Sequence, residues 1–597
     1  MLGKKKVTLF LGILIVLQLG FITYMFAFQK EGFHSDDNWS YGFANADQGG
    51  WIEHDDNGKE RNFNEWVDGK VLWDYITVQK GKEFNFGAVA RNMSDERNPP
   101  LHHMILHFIC SLFPETFSWW YAYVISILSF VGTIISLYFL GKEMFLSQKK
   151  ALVACGFYGF SVAALNTALL LRPYSLLTFF AVLLIFFHVK MYRKKFKKCK
   201  WELIGILLTM IAGNLTQYTF MMFGMCIMAV FGVYELSMRR WKFAFLHGFV
   251  MLLSVGITVI IWPRALELLL TRNEMYNAQM PLLWEINFAM LLSVEEATGI
   301  PFKIPDIVFW TYVKFILVFA VILCGGIGFI FRKERWFQML VTKMRERVAK
   351  MLKWAKRKIC YGEKITIMIM LVAFLTLVVI AYYCNFYVMS IYSDRYLFFL
   401  MPFMSLVVVG QVSWLITHIG KRKGSHRLII ITLLCGLLFM EHKVLTPCWY
   451  LFKRQCEGPQ IEELTKDADV ILVTDEAWKL TWYSSKLRNV SKFCAFLSED
   501  SMKTQTLEKV NELAKKEDNP SRPVYLVLET DKFREEDWDA SKSQEKSGIK
   551  RNDEILTLSY KKSEVVNQFA SAEWADQKEL IQKEKGFTGN LEIWELR

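Results

Sequence analysis

KKKVTLFLGILIVLQLGFITYMFAF, residues 4–28, is the stretch that decides the class of this protein. Three lysines precede a run from Val7 to Phe28 that holds no charged residue. A helix needs about 20 apolar residues to cross about 30 Å of hydrocarbon. The run is longer than the apolar part of a typical signal peptide, and no small-residue cleavage site follows it. We therefore predict a retained first membrane span.

The composition of the whole chain extends this prediction. Hydrophobic residues make up 53% of the 597 residues and charged ones 22%, and the apolar residues come in long blocks. The net charge of +13 would suit a nucleic-acid partner in a soluble protein. Here the basic residues cluster in short segments between apolar blocks, as in KMYRKKFKKCK at 190–200. That pattern reports membrane orientation and argues against a nucleic-acid partner.

The apolar blocks predict a multi-pass protein of the cell membrane. The strongly basic loops are placed on the cytoplasmic side, so the N-terminus is cytoplasmic and the C-terminal part is extracytoplasmic. Residues 29–103 and 264–305 become outer loops. Residues 332–364 form either a basic amphipathic helix on the inner leaflet, which we favour, or a solvated helix. The eleven predicted spans are 7–28, 119–140, 151–170, 174–192, 202–216, 218–236, 243–263, 306–331, 365–383, 397–417 and 428–446.

The last part of the chain, 456–597, has a different pattern. Its apolar runs are short, at 470–474, 524–528 and 591–594, and 503–516 has a helical pattern. Short apolar runs between helices predict a small α/β domain with buried strands. No Gly-rich phosphate loop follows a strand, so we expect a cap or an acceptor-recognition module rather than a nucleotide site. The predicted fold is a mainly α polytopic membrane domain, 1–450, followed by this extracytoplasmic α/β domain.

Cysteine spacing gives no metal site. The eleven cysteines are scattered and form no Cys-x-x-Cys pair. Cys456 and Cys494 are both placed outside the membrane, where they could pair, and the sequence leaves that pairing open.

The first candidate group lies just after the first span, at His34-Ser35-Asp36-Asp37-Asn38-Trp39-Ser40-Tyr41. Two adjacent carboxylates, Asp36 and Asp37, at a membrane surface suit general-base or metal-binding work. The alternative is an ordinary acidic loop or a helix N-cap.

The second candidate group precedes the second span, and it runs from Asp95-Glu96 to His102-His103, with His107 beyond. His103 and His107 are four residues apart and lie on one face of a helix. Two histidines without further ligands are weak support for zinc, so interfacial packing is the favoured interpretation.

Two arginines complete the pattern. Arg172-Pro173-Tyr174 lies in a tight outer turn, and Arg395-Tyr396 lies at the outer start of a span. Arginine matches two phosphate oxygens at once, although each residue alone favours an anchoring role at a span end. Carboxylates and arginines on one membrane face predict a site for an anionic lipid substrate.

At these residues the chain resembles the membrane-embedded C-type glycosyltransferases, particularly the bacterial branch related to protein O-mannosyltransferases and lipid A aminoarabinose transferases. The likeness covers roughly residues 1–450. In this chain Asp37 replaces the family's usual Glu, Asn98 a usual His, and His102 and His103 usual tyrosines. The matching motifs are Asp36-Asp37, Asn98-Pro99-Pro100-Leu101-His102-His103 with His107, Arg172-Pro173-Tyr174, Gln217-Tyr218, and Arg395-Tyr396 before Pro402.

The resemblance implies a direct, inverting transfer of a sugar from a polyprenyl-phosphate carrier to an extracytoplasmic hydroxyl of a glycan, lipid or protein. It implies that Asp36 or Asp37 takes the acceptor proton and that Glu96 or Asp95 positions the acceptor or a metal. Arg172 and Arg395 would stabilise the departing phosphate. No cofactor is expected to be essential, and a divalent cation is the alternative. Further substrate contacts would come from His107, Tyr174, Gln217, Tyr218 and Tyr396.

Two other functions compete with this hypothesis. A flippase or transporter of lipid-linked sugars would need polar residues in mid-membrane, whereas the predicted spans are nearly free of charge. An inactive relative that acts as a scaffold would fit the changes at Asn98, His102 and His103.

Overall fold

The fold was analysed in a computed structural model of the full chain. The structure describes residues 4–266 apart from 48, 56, 57 and 97, and then 342, 346, 364–384, 391–419, 426–440, 442, 448–453, 458–516, 522–530, 533, 560–572, 575, 577–585 and 590–597. The predicted span at 306–331, most of the 264–305 loop, Cys456 and nearly all of 332–364 lie outside these residues.

Helices dominate the first half of the chain. A short π-helical turn, Met25–Gln29, extends the first helix. In chain order the elements are α1 Lys4–Tyr24, α2 Ser35–Asn45, strand β1 Trp66–Asp68, α3 Lys70–Ile76, α4 Phe86–Glu96, α5 Leu101–Ser111, α6 Trp119–Phe145, α7 Gln148–Gly159, α8 Val162–Leu169, α9 Tyr174–Arg193, α10 Lys200–Asn214, α11 Thr219–Ser237 and α12 Trp241–Ile261.

The second half adds three apolar helices and then an α/β region. A 3₁₀ segment, Ile391–Leu400, leads into the second of the apolar helices. The elements are α13 Lys364–Cys384, α14 Met401–Ile419, α15 His426–Met440, α16 Ile461–Leu464, β2 Asp469–Thr474, α17 Lys479–Ser484, β3 Lys492–Leu497, α18 Thr504–Lys516, β4 Val524–Glu529, α19 Lys562–Ala570, β5 Lys578–Lys585 and β6 Asn590–Leu596.

The chain divides into two compact units. The helical unit comprises Met1–Thr23, Ser126–Leu169 and Pro173–Trp449. The mixed unit comprises Tyr24–Ile125, Leu170–Arg172 and Tyr450–Arg597. The first predicted outer loop therefore belongs to the same unit as the C-terminal α/β region.

The described helices make this a multi-pass membrane protein. Six of them are long and apolar enough to cross a membrane, and α7 with α8, bent by 58°, form a possible seventh span. The predicted span at 202–216 appears as the 15-residue α10, and α13 and α15 hold only shorter apolar stretches among the described residues. The count of eleven spans therefore stays a prediction.

One buried polar chain links three helices of the helical unit. The Nε2 atoms of His188 on α9 and His247 on α12 lie 3.1 Å apart, and His247 Nδ1 lies 3.0 Å from Glu235 Oε1 on α11. All three side chains are fully buried. Glu235 lies near the end of its helix, so the central part of this span still carries no charge.

The mixed unit is built on a six-stranded sheet with the order β1-β3-β2-β4-β6-β5. The three central strands, β3, β2 and β4, run parallel, and the flanking strands are antiparallel. Every residue of β2 and β4 is buried, as expected for apolar strands that helices cover on both faces. The strands predicted at 470–474, 524–528 and 591–594 and the helix predicted at 503–516 are all present.

Strand β1 comes from the first predicted outer loop rather than from the C-terminal region. Its residues Trp66–Asp68 pair with Cys494, Phe493 and Lys492 of β3. The buried Cys494 side chain belongs to the core of the sheet. The α/β fold therefore draws on both ends of the chain.

Charged side chains meet where β2 and β4 end. Lys479 lies 2.9 Å from Glu529 Oε2 and also contacts Asp475. Glu529 Oε2 accepts a hydrogen bond from Thr474, and Oε1 accepts one from Tyr483. We call Thr474, Asp475, Lys479, Tyr483 and Glu529 the Lys479 cluster.

Candidate functional site

Helix α2 begins with a capping box that fixes the two aspartates. His34 is the N-cap residue, and its Nδ1 accepts a hydrogen bond from the Asp36 backbone N–H at 3.1 Å. Asp37 Oδ2 accepts from the His34 backbone N–H at 3.0 Å. These bonds satisfy backbone N–H groups that otherwise lack a partner at the start of a helix. The negative charges of the aspartates also interact favourably with the positive end of the helix dipole.

Asp37 is tied to the backbone at both oxygens. Its Oδ1 accepts a hydrogen bond from the Leu171 backbone N–H at 3.0 Å, in addition to the bond from His34. The side chain is fully buried, and burial raises the pKa of this carboxyl, against the nearby charge of Lys30. Asp37 therefore joins the start of α2 to the Leu170–Arg172 segment.

Asp36 faces a charged group instead. Arg172 Nε lies 3.9 Å from Asp36 Oδ2, and Arg172 Nη2 lies 3.5 Å from Glu96 Oε1. Arg172 Nη1 donates hydrogen bonds to the Asp36 carbonyl oxygen and to Ser40 Oγ. We call Asp36, Glu96 and Arg172, with Ser40, the Arg172 cluster. It joins three segments that lie far apart in the sequence.

Close packing holds α2 in place. A Cβ atom on Gly42 would lie 2.0 Å from the Tyr75 ring, so only glycine lets α3 approach at this point. Tyr41 OH donates to the Ser118 carbonyl oxygen and accepts from the Ala122 N–H at the start of α6. Apart from Trp39, every residue of α2 is buried.

Glu96 ends α4 with hydrogen-bonding capacity left over. Burial raises the pKa of its carboxyl, and the charge of Arg172 acts in the opposite direction. Its Oε2 is buried and has no hydrogen-bond partner among the described residues. A buried acceptor without a partner costs free energy, so the unit holds this oxygen available at some expense.

Three histidines follow on α5, and all are buried. Burial lowers the pKa of His102 to about 3, with help from the charge of Arg172, and burial likewise lowers the pKa values of His103 and His107. These imidazoles are therefore neutral at physiological pH. Neither ring nitrogen of His103 has a hydrogen-bond partner in the part of the chain that the structure describes.

The other predicted site residues belong to the helical unit. The rings of Tyr174 and Tyr396 meet edge-on, with centroids 5.9 Å apart, and the Arg395 guanidinium lies 5.3 Å from the Tyr396 ring. Tyr218 OH accepts a hydrogen bond from Trp262 Nε1 at 3.0 Å. Gln217 is partly exposed at the turn before α11. These residues thus form two separate contacts within that unit.

Two predictions remain open in the structure. Asp95 lies on α4, but its side chain is outside the described residues. Among the described residues, no group of three or more His, Cys, Asp or Glu side chains is arranged to hold a metal ion. The catalytic and substrate-binding roles assigned to individual residues stay predictions.

Sequence reasoning placed His34 and Ser40 in the first candidate group without assigning a role to either, and it missed Leu171. Ser40 contacts Arg172, His34 caps α2, and Leu171 anchors Asp37 through its backbone. The spacing of Asp36 and Ser40 by one helical turn could have pointed to Ser40. A backbone contact such as that of Leu171 leaves no trace in residue type.

Part of the chain matches a known protein family. Residues 97–262 match the sequence model of the family described as dolichyl-phosphate-mannose-protein mannosyltransferase. A comparison with curated proteins found no significant match.

Two solved structures are similar to the chain at low scores. Both are ArnT from Cupriavidus metallidurans, one bound to undecaprenyl phosphate and one in the apo state. The first has a TM-score of 0.40 and 11% identity and covers 89% of this chain and 94% of that one. The second has a TM-score of 0.40 and 12% identity and covers 87% and 93%. These scores are too low to support a conclusion. Over residues 97–262, the resemblance to the membrane-embedded C-type glycosyltransferases that the motifs predicted is confirmed by the family match.

Proposed function

We propose that this protein transfers a sugar from a polyprenyl-phosphate carrier to an acceptor hydroxyl on the outer face of the membrane, with inversion at the sugar carbon. The observation that carries the proposal is the Arg172 cluster. Asp36, Glu96 and Arg172 come from separate segments and meet in a buried place, next to a stretch that matches the mannosyltransferase family.

Asp36 is the better candidate for the base. Asp37 spends both oxygens on backbone N–H groups, so its carboxylate acts as part of the helix cap. The Asp36 carboxylate contacts side chains instead, with Oδ2 3.9 Å from Arg172 Nε and Oδ1 3.3 Å from His34 Nδ1. In the proposed step Asp36 takes the acceptor proton and the acceptor oxygen bonds to the anomeric carbon. The bond from that carbon to the phosphate oxygen breaks, and polyprenyl phosphate leaves.

The arginines take different parts in this proposal. Arg172 lies between two carboxylates, and its positive charge is largely compensated there, so it positions Asp36 and Glu96. Arg395 lies beside the Tyr396 ring. As the resemblance implies, it would stabilise the charge that develops on the phosphate. Glu96, with one open oxygen, would orient the acceptor.

The proposal includes a membrane orientation. The N-terminus is cytoplasmic and the α/β region is extracytoplasmic, as the basic loops favour. The donor would be made on the inside and flipped before use. The acceptor is a glycan, a lipid or a protein hydroxyl.

The test uses membranes from the native host. Purified wild-type protein, Asp36→Asn and Asp37→Asn are each added, and mass spectrometry follows the carrier-linked sugars. We expect the wild type to consume one polyprenyl-phosphate sugar, Asp36→Asn to consume none, and Asp37→Asn to retain activity in proportion to its folded fraction.

Size-exclusion profiles and thermal unfolding show which variants are folded. The proposal fails if folded wild-type protein consumes no carrier-linked sugar in membranes that contain acceptor. Movement of the intact carrier-linked sugar between leaflets, without cleavage, would indicate a transporter instead.

A further inference from the structure

We propose that Trp39, Trp51 and Trp478 form a platform that binds a carbohydrate acceptor beside Asp36. The inference rests on the proposed function and adds the chemical class of the acceptor. The Trp39 ring lies 5.9 Å from that of Trp51 and 5.7 Å from that of Trp478. All three side chains are partly exposed.

Trp39 departs from the pattern of its helix. It is the largest side chain of α2 and the one residue of that helix that is not buried. Its Nε1 is nevertheless covered, with no hydrogen-bond partner among the described residues. A covered indole N–H normally finds an acceptor. The exposed part of the Trp39 indole is therefore carbon surface, which suits stacking against a sugar ring.

The platform adjoins the proposed base. Asp36 and Trp39 are three residues apart on α2, which places their side chains on the same helical face, about 5–6 Å apart at Cβ. A sugar ring stacked on the indole would therefore present a hydroxyl close to Asp36. Helix geometry thus links acceptor binding with deprotonation.

Buried contacts support the segments that carry Trp51 and Trp478. Thr481 on α17 donates a hydrogen bond to Glu53 Oε2 at 3.0 Å, and these residues follow Trp478 and Trp51 closely in sequence. The Lys479 cluster ties the start of α17 to the end of β4. A surface prepared in this way loses little conformational freedom on binding, which favours affinity.

The polar groups around the platform fit a sugar better than an apolar partner. Trp478 Nε1 donates to the exposed Glu476 carboxylate, and His54 stacks on the Trp51 ring at 5.2 Å. Asp55 follows His54 and is partly exposed. Apolar ring faces flanked by carboxylate and imidazole groups match a pyranose, which has an apolar C–H face and a rim of hydroxyls.

Binding is tested separately from transfer. The full chain in detergent is mixed with the oligosaccharides that mild acid releases from the native host's envelope, and saturation-transfer NMR detects those that bind. The variants are Trp39→Ala and Trp478→Ala. The matched control is Trp201→Ala, since Trp201 is 74% exposed in the helical unit.

We expect wild type and Trp201→Ala to bind oligosaccharides alike, and Trp39→Ala and Trp478→Ala to bind at least tenfold more weakly. Trp478→Phe, which keeps an aromatic face, should recover part of the affinity. Equal binding by wild type and Trp478→Ala would overturn the platform.

The two proposals fail in different ways. Oligosaccharide binding without any consumption of carrier-linked sugar would remove the transferase function and leave the platform. Consumption of carrier-linked sugar by a folded protein that binds none of these oligosaccharides would remove the platform and leave the transferase.

Discussion

The mixed unit contains two buried ionic clusters that differ in how completely their hydrogen bonds are made. In the Lys479 cluster, Glu529 accepts from Lys479 and Thr474 at 2.9 Å and from Tyr483 at 3.1 Å. In the Arg172 cluster, the two carboxylate–guanidinium distances are 3.5 and 3.9 Å, and Glu96 Oε2 has no partner among the described residues.

The difference supports the proposed role of the Arg172 cluster. Glu529 directs both carboxylate oxygens to groups of the Lys479 cluster, so neither is available to a ligand. Glu96 keeps one oxygen without a partner among the described residues, and such a cost to stability is usual at sites that bind a substrate. Ionic residues in a buried place are therefore not sufficient to identify a site, and the state of their hydrogen bonds decides.

The largest expected effect is the loss of turnover after a change in the Arg172 cluster. Asp36→Asn removes the proposed base and keeps its shape, so we expect sugar transfer to fall by about a hundred- to ten-thousand-fold. Stability should fall by less than in Lys479→Met, because Arg172 keeps Glu96 as a partner. Radiolabelled acceptor formed per minute measures the rate. Near-normal transfer by Asp36→Asn would assign the base to another residue.

A change in the Lys479 cluster should affect stability instead. Lys479→Met leaves the buried Glu529 carboxylate without its cation, and removal of one partner of a buried pair costs about 3–5 kcal/mol. The melting temperature of the detergent-solubilised protein measures this. The double variant Lys479→Met/Glu529→Leu should regain much of the loss, and an unchanged single variant would contradict the structural role.

The buried histidines of α5 predict that acid lowers the stability of the protein. The folded-state pKa of His102 is about 3, below its usual value of 6.5, so the unfolded chain binds a proton first as the pH falls. Stability attributed to His102 is full above pH 6.5 and declines below it, by about 2 kcal/mol at pH 5. Melting temperatures from pH 8 to pH 5 test this. His102→Phe should flatten the profile, and a parallel profile would contradict the assignment.

The smallest effect is expected at the second aspartate. Asp37→Asn keeps one acceptor oxygen but turns an amide N–H₂ towards a backbone N–H, so we expect a loss of about 1–2 kcal/mol of stability. Turnover per folded molecule should stay within a few-fold of wild type. Loss of turnover equal to that of Asp36→Asn, with the protein still stable, would return Asp37 to the catalytic role.

The sequence allowed prediction of the parts that depend on continuous apolar runs. The long helices and the strands Asp469–Thr474, Val524–Glu529 and Asn590–Leu596 were predicted because burial of a whole segment leaves an apolar run. Strand β3, Lys492–Leu497, was missed, and so was β1, since a three-residue edge strand has no recognisable period.

The members Asp36, Glu96 and Arg172 of the cluster were named from the sequence, whereas their individual contacts were not, and their catalytic roles stay predictions. Topology brought Asp36, Glu96 and Arg172 to one membrane face, and the structure brings them into contact. The sequence could not show which aspartate is held by backbone groups, because that depends on the backbone N–H of Leu171. The tryptophan platform was missed because Trp39, Trp51 and Trp478 come from three separate segments.

Strand β1 has a consequence for how the protein is made. Trp66 donates a hydrogen bond to the Lys509 carbonyl oxygen, 443 residues further along the chain. At a synthesis rate of about 5–20 residues per second, that partner leaves the ribosome roughly 20–90 seconds later. Throughout this interval the early segment carries an unpaired edge, which is prone to wrong association. Pairing of β1 with the rest of the six-stranded sheet must therefore be among the last events of biogenesis. A chain whose synthesis stopped early would insert in the membrane without completing its mixed unit.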